Sequence, residues 1–149
     1  STPNDDFMLQ AIKLSEQCTK TPHRYAVGAV LVSKDNQVIA TGYTGEEKPE
    51  DHAEEVAIHK ALRDSKNLHG AKIYSTMEPC STRASRPESC SALIIKHKIQ
   101  HVFYAYKEPG HFVDGHGHEN LDNAAVNVTA MPHLSRFVIQ INKHILSSS

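Results

Sequence analysis

One histidine and two cysteines, far apart in the chain, constrain its fold more than any other feature. His52 stands in His52-Ala53-Glu54, Cys80 in Pro79-Cys80, and Cys90 follows after nine intervening residues. One imidazole and two thiolates suit zinc, and a metal holding all three keeps a fourth tetrahedral position for water. Such a metal lowers the pKa of its water from 15.7 to about 7. Glu54, two residues from His52, lies beside the metal without being needed as a ligand, so it is available to move protons. A fold that uses this pattern has to bring His52 into contact with both cysteines. A lone His-x-Glu or a lone cysteine pair would read as an N-cap neighbour and inert buried thiols. The combination, with Glu78-Pro79 directly before Cys80, favours a metal site.

The rest of the chain reads as elements that deliver those residues. Thr2-Pro3-Asn4-Asp5-Asp6 offers an N-cap, a proline for N1 and acids for a first turn. Phe7, Ala11, Leu14 and Cys18 recur at helical spacing, predicting a helix over 4–19 with Cys18 on its apolar face. Ala26 to Val32 and Gln37 to Tyr43 flank a turn at Asp35-Asn36 and predict a hairpin. Gly42 to Asp51 is a polar loop leading to a helix over 52–64. Strands are expected at 72–76, 102–106 and 126–129, with helices at 91–98 and 119–124. A final helix is expected from about 132 to 146, with Leu134, Phe137, Val138, Ile141 and Ile145 on one face. Strand and helix alternate after residue 50, which predicts an α/β three-layer domain spanning 1–149. In that arrangement His52 and Glu54 open one helix, and Cys80 and Cys90 lie at or near the start of the next. Helix N-termini supply N–H groups and partial positive charge that stabilise thiolates and a developing oxyanion.

Composition narrows the class. The 149 residues carry 16 Lys and Arg against 17 Asp and Glu, a net charge of -1, which argues against a nucleic-acid partner. No apolar run approaches the roughly 20 residues of a membrane helix, and no basic-then-apolar leader precedes the first helix. Three cysteines do not suggest a disulfide framework, so a cytoplasmic, reducing setting is expected. Among the remaining histidines, His59 fails the metalloprotease pattern, because residue 56, where its second histidine would fall, is Val56. His111, His116 and His118, in a glycine-rich turn, either hold a second metal or face the site or solvent. Arg83 and Arg86, between the cysteines, and Arg24, before the first strand, are candidate phosphate forks or solvated charges.

The first half of the zinc-deaminase signature H-x-E…P-C-x-x-C and its Pro-Cys are present; its short cysteine spacing is not. His52-Ala53-Glu54, Thr76-Met77-Glu78-Pro79-Cys80-Ser81 and the long gap to Cys90 resemble the deaminase domain of riboflavin biosynthesis, within the cytidine-deaminase-like superfamily. Val27-Gly28-Ala29-Val30, Glu108-Pro109, Gly115-His116-Gly117 and Glu119-Asn120-Leu121 extend the resemblance over roughly residues 5–130. Bacterial-type members carry a shorter Gly-Arg/Lys-Thr-Pro-Pro-Cys run between the cysteines. Cys80-Ser81-Thr82-Arg83-Ala84-Ser85 is more similar to the fungal type, and Arg24-Tyr25 replaces the Asn-Pro of the bacterial type.

What the resemblance implies is a five-stranded mixed sheet between helices, with Zn2+ held by His52, Cys80 and Cys90. It implies hydrolytic deamination of 2,5-diamino-6-ribitylamino-4(3H)-pyrimidinone 5'-phosphate, zinc hydroxide attacking the amino-bearing ring carbon and Glu54 shuttling protons. Ala53, Arg24, Arg83, Ser85, Arg86, Glu108 and His111 are the expected substrate contacts, and a stand-alone homodimer the expected form. The alternatives are the ribosylamino precursor, or another base such as cytidine, deoxycytidylate or guanine. A further alternative is a non-catalytic zinc-stabilised module with a fourth ligand from His111, His116 or His118.

Overall fold

Thr2 sets the start of the first helix, α1 (Pro3–Ser15). Its Oγ1 accepts the Asp5 N–H at 3.1 Å, and the Asp5 carboxylate accepts the Thr2 N–H at 3.4 Å. Pro3 fills N1, where a missing N–H leaves no bond unmade. The computed structural model describes residues 2–80, 88–107 and 117–146, with the backbone alone for 117–119. The helix stops short of residue 19. Buried Ser15 donates its hydroxyl to the Ile12 carbonyl at 2.5 Å, and Glu16, Gln17 and Cys18 tighten into i to i−3 bonds. A serine that returns to a backbone carbonyl competes with the helical ladder in this way. Cys18 therefore lies beyond the helix, still buried, with its Sγ 3.7 Å from the Val27 carbonyl oxygen.

The hairpin forms as expected from β1 (Gly28–Val32) and β2 (Val38–Tyr43), with Asn36 at φ 65° in its turn, a conformation asparagine tolerates. Next come α2 (Ala53–Arg63), β3 (Lys72–Met77), α3 (Cys90–Lys96), β4 (His101–Tyr106), α4 (Gly117–Asn123) and β5 (Asn127–Ala130). Each lies within about two residues of its expected bounds, the usual precision for element ends. The single helix expected over 132–146 is instead a 3-10 turn at Pro132–Leu134, α5 (Ser135–Ile141) and α6 (Lys143–Leu146). The break falls at Asn142, whose carboxamide bonds to Ala26 as well as to Val138. A side-chain amide that reaches backbone outside its own helix gives the chain a reason to turn there.

The strands form a mixed sheet in the order β2-β1-β3-β4-β5. β1 pairs antiparallel with β2 and β3, while β3–β4 and β4–β5 are parallel. Parallel neighbours need crossovers, and α3 and α4 supply them. Ala29, Leu31, Ile73 and Val102 pack against Ile58, Leu93, Ile94 and Leu121 on one face. Val30, Val32, Tyr74 and Phe103 pack against Met8, Ala11, Leu134 and Val138 on the other. Successive strand residues thus point into two covered layers, which is why β1 reads as a continuous apolar run. Burial of a side chain such as Leu31 contributes roughly 1.5–3 kcal/mol. This is the expected α/β/α sandwich. Among the described residues, no helix is long and apolar enough to cross a membrane.

Candidate metal centre

β3 ends at Met77, and Glu78-Pro79 carries the chain off the sheet to Cys80; proline cannot donate to the ladder. Both cysteines lie at or near the start of α3, as expected. Cys90 is the first residue of α3, behind the N-cap Ser89, whose Oγ accepts the Ala92 N–H at 3.0 Å. The Cys80 carbonyl accepts the Ser91 N–H at 3.0 Å. Cys80 therefore satisfies an orphan donor of that helix rather than belonging to it. On the other side, His52 immediately precedes α2, and Glu55 Oε1 accepts the His52 N–H at 3.4 Å. That bond fixes the backbone from which the imidazole projects.

His52 Nδ1 lies 3.6 Å from Cys80 Sγ and 3.4 Å from Cys90 Sγ. The three donor atoms all lie within 4.8 Å of one another. Tetrahedral zinc, with Zn–S near 2.3 Å and Zn–N near 2.0–2.1 Å, separates its nitrogen and sulfur donors by about 3.5 Å. Donor chemistry and spacing therefore fit zinc. The Cys90 side chain, hydrogen-bonded to Cys80, holds that thiol down at about 4, with His52 and the Cys90 N–H helping against the upward push of burial. A thiolate is the form a metal binds.

Glu54 is 4% exposed and stands outside this donor group. Burial raises its pKa; His52 opposes the rise and Cys80 adds to it. Its Oε2 accepts the Ser75 hydroxyl at 3.1 Å, and the Met77 carbonyl lies 2.8 Å from the same Oγ. A buried carboxyl with raised proton affinity suits general acid–base work.

A cavity of about 580 Å³ opens over the group, its wall including Arg24, Tyr25, Ala53, Glu54, Glu78 and Ile145. Of the expected substrate contacts, Ala53 is buried at the start of α2 and Arg24 lines the cavity. Part of the Arg24 fork is committed elsewhere, because Nη2 donates to the Asp51 carbonyl at 3.0 Å. Arg83, Ser85, Arg86, Glu108 and His111 lie outside the described residues, as does His116, and of His118 only the backbone is described. His59 is exposed and lines a separate groove with Glu47 and Arg63. The neighbours not foreseen as site residues include Ser75, Glu78 and Ile145. Ser75 stands beside Thr76 in its strand, and nothing in the sequence sets it apart from that second hydroxyl residue. Ile145 carried no signal either, since its spacing reads as an ordinary helix face.

The chain matches the family model of the cytidine and deoxycytidylate deaminase zinc-binding region over residues 1–106. It is 39% identical over 127 residues to the diaminohydroxyphosphoribosylamino-pyrimidine deaminase of Schizosaccharomyces pombe, covering 84% of this chain and 31% of that protein. Against riboflavin biosynthesis protein RibD of Chlamydia pneumoniae the identity is 38% over 127 residues, covering 82% and 31%. The chain thus spans 31% of the length of these curated relatives. Among solved structures, a Thermotoga maritima diaminohydroxyphosphoribosylaminopyrimidine deaminase/reductase superposes with a TM-score of 0.86 at 28% identity, over 98% of this chain and 42% of that one. The Aspergillus oryzae Rib2 deaminase in complex with DARIPP gives 0.81 at 27% identity, over 95% and 90%. Fold, donor group and matched region agree, and the chain belongs to the cytidine and deoxycytidylate deaminase zinc-binding family.

Proposed function

We propose that this chain is a zinc-dependent hydrolytic deaminase of riboflavin biosynthesis, acting on 2,5-diamino-6-ribitylamino-4(3H)-pyrimidinone 5'-phosphate. One observation carries the reading: among the described residues, three zinc-type donors meet beside a buried carboxyl that is not one of them. Structural zinc sites are closed by four protein ligands, whereas a catalytic one keeps a position for water. Bound zinc supplies a water whose pKa falls to about 7.

The chain's own residues do the rest. His52 and the Cys80 and Cys90 thiolates hold the metal. Glu54 takes a proton at its carboxylate and returns protons to the ring nitrogen and the departing amine, so that one water is consumed and one ammonia leaves. Ser75 holds Glu54 Oε2 in one orientation. The Ala53 N–H, at the open start of α2, is a donor for the ring. The cavity falls in the usual range for small-molecule sites. The choice of pathway is supported by the Schizosaccharomyces pombe relative and by the solved complex of a similar protein with DARIPP. Arg24-Tyr25 and the nine-residue cysteine gap support the ribityl form.

Ammonia release by zinc-loaded protein, offered the ribitylamino phosphate, its ribosylamino precursor and cytidine side by side, tests the assignment. Fast turnover of the first alone is expected. Turnover of cytidine alone overturns the pathway and keeps the chemistry. Glu54→Gln should retain zinc and lose at least about 10²–10⁴-fold in turnover, the usual range for acid–base catalysis. Near-normal turnover in a zinc-replete variant removes Glu54 from its role.

A further inference from the structure

The C-terminal elbow between α5 and α6 reaches the cavity through backbone contacts made by two side chains. Asn142, 1% exposed, accepts the Ala26 N–H through Oδ1 at 2.7 Å. Its Nδ2 donates to the Ala26 carbonyl at 3.1 Å and to the Val138 carbonyl at 3.0 Å. Ala26 lies just before β1 and is itself buried. The carboxamide thus engages both its backbone groups as the peptide of a neighbouring strand would. Two residues on, His144 Nε2 lies 3.1 Å from the Arg24 carbonyl; a carbonyl only accepts, so Nε2 carries the proton. Ile145 then enters the cavity wall. Arg24, held from behind, donates to the carbonyl of Asp51, the residue before His52.

We propose that Asn142 is a positioning residue for the substrate cavity: the elbow it forms holds residues 22–27 in place, and with them the wall made by Arg24, Tyr25 and Ile145. The elbow lies outside the residues 1–106 matched by the family model, so Ile145 and the brace behind Arg24 and Tyr25 come from a part of the chain beyond the shared metal-binding region. The substrate side of the proposal rests on the deaminase reading above. Asn142 touches neither the donor group nor Glu54, so its loss is felt in binding more than in chemistry.

The test compares zinc-loaded wild type with Asn142→Leu, which keeps the side-chain size and removes all three bonds. Zinc content, amide hydrogen exchange and kinetics with the ribitylamino phosphate are measured together. Expected are unchanged zinc and about tenfold faster exchange confined to residues 22–27, with β3 as protected as before. KM should rise about tenfold while kcat stays within about threefold. A merely structural role predicts a lower melting temperature and faster exchange throughout, with KM of the folded protein unchanged; that outcome overturns the proposal. Should Asn142→Leu fail to fold, the partly exposed His144→Leu removes the Arg24 carbonyl bond alone, and an unchanged KM there also overturns it. If the wild type does not turn over the compound, the deaminase reading fails separately. The exchange pattern then decides by itself: loss confined to 22–27 supports the clamp, and uniform or absent change overturns it.

Discussion

Two cysteines of one chain show how surroundings decide the chemistry of a side chain. Cys18 is buried near the Val27 carbonyl, and burial pushes its thiol above the ordinary value. Cys80 faces the cavity between Cys90 and His52, which hold it down at about 4. In metal-free protein at about pH 6, Cys80 is therefore a thiolate while Cys18 is a thiol. Iodoacetamide should label Cys80 at that pH and leave Cys18 unlabelled, and added zinc should protect Cys80. Peptide mass spectrometry reads the outcome; equal labelling of the two contradicts the assignment. Below about pH 4 the Cys80 rate should fall, since the thiolate is then protonated. The His52, Glu54 and cysteine pattern was legible in sequence because these side chains have few other reasons to recur together. Ser75 was not, because a serine acquires a role only through the carboxylate that packs against it.

At the scale of elements, α1 and β1 meet without room for a side chain. A Cβ on Gly28 would lie 1.9 Å from the Ala11 carbonyl oxygen and 2.9 Å from the Ser15 nitrogen. The neighbours are backbone, so they cannot rotate away. Gly28→Ala should cost about 2–3 kcal/mol and lower Tm by roughly 5–10 °C, measured by thermal unfolding; an unchanged Tm refutes this close approach. Most elements were legible, since the 3.6 and 2 periodicities mark buried faces directly. The two failures share a cause. Ser15 and Asn142 each turn a polar side chain toward backbone carbonyls, and apolar spacing carries no record of such bonds.

For the molecule as a whole, the donor group joins segments that the sheet alone leaves separate: the start of α2, the exit from β3 and the start of α3. Zinc that binds only the folded chain adds stability by mass action, about 4 kcal/mol at a thousand times its Kd. Chelation should therefore lower Tm by roughly 10 °C, and the same chelator should do little to His52→Ala. An equal effect on both, seen by calorimetry, means that the stabilising metal sits elsewhere.

The sequence by itself determined the strand and helix alternation, the three-layer class and the candidate donors, because those depend on periodicity and residue chemistry. Only the tertiary structure decided that His52 meets cysteines 28 and 38 residues away. It alone placed Ser75 on Glu54 and bent the chain at Asn142 to wall the cavity. Those contacts join segments distant in sequence, and a polar partner so far along the chain leaves no local pattern from which it can be read.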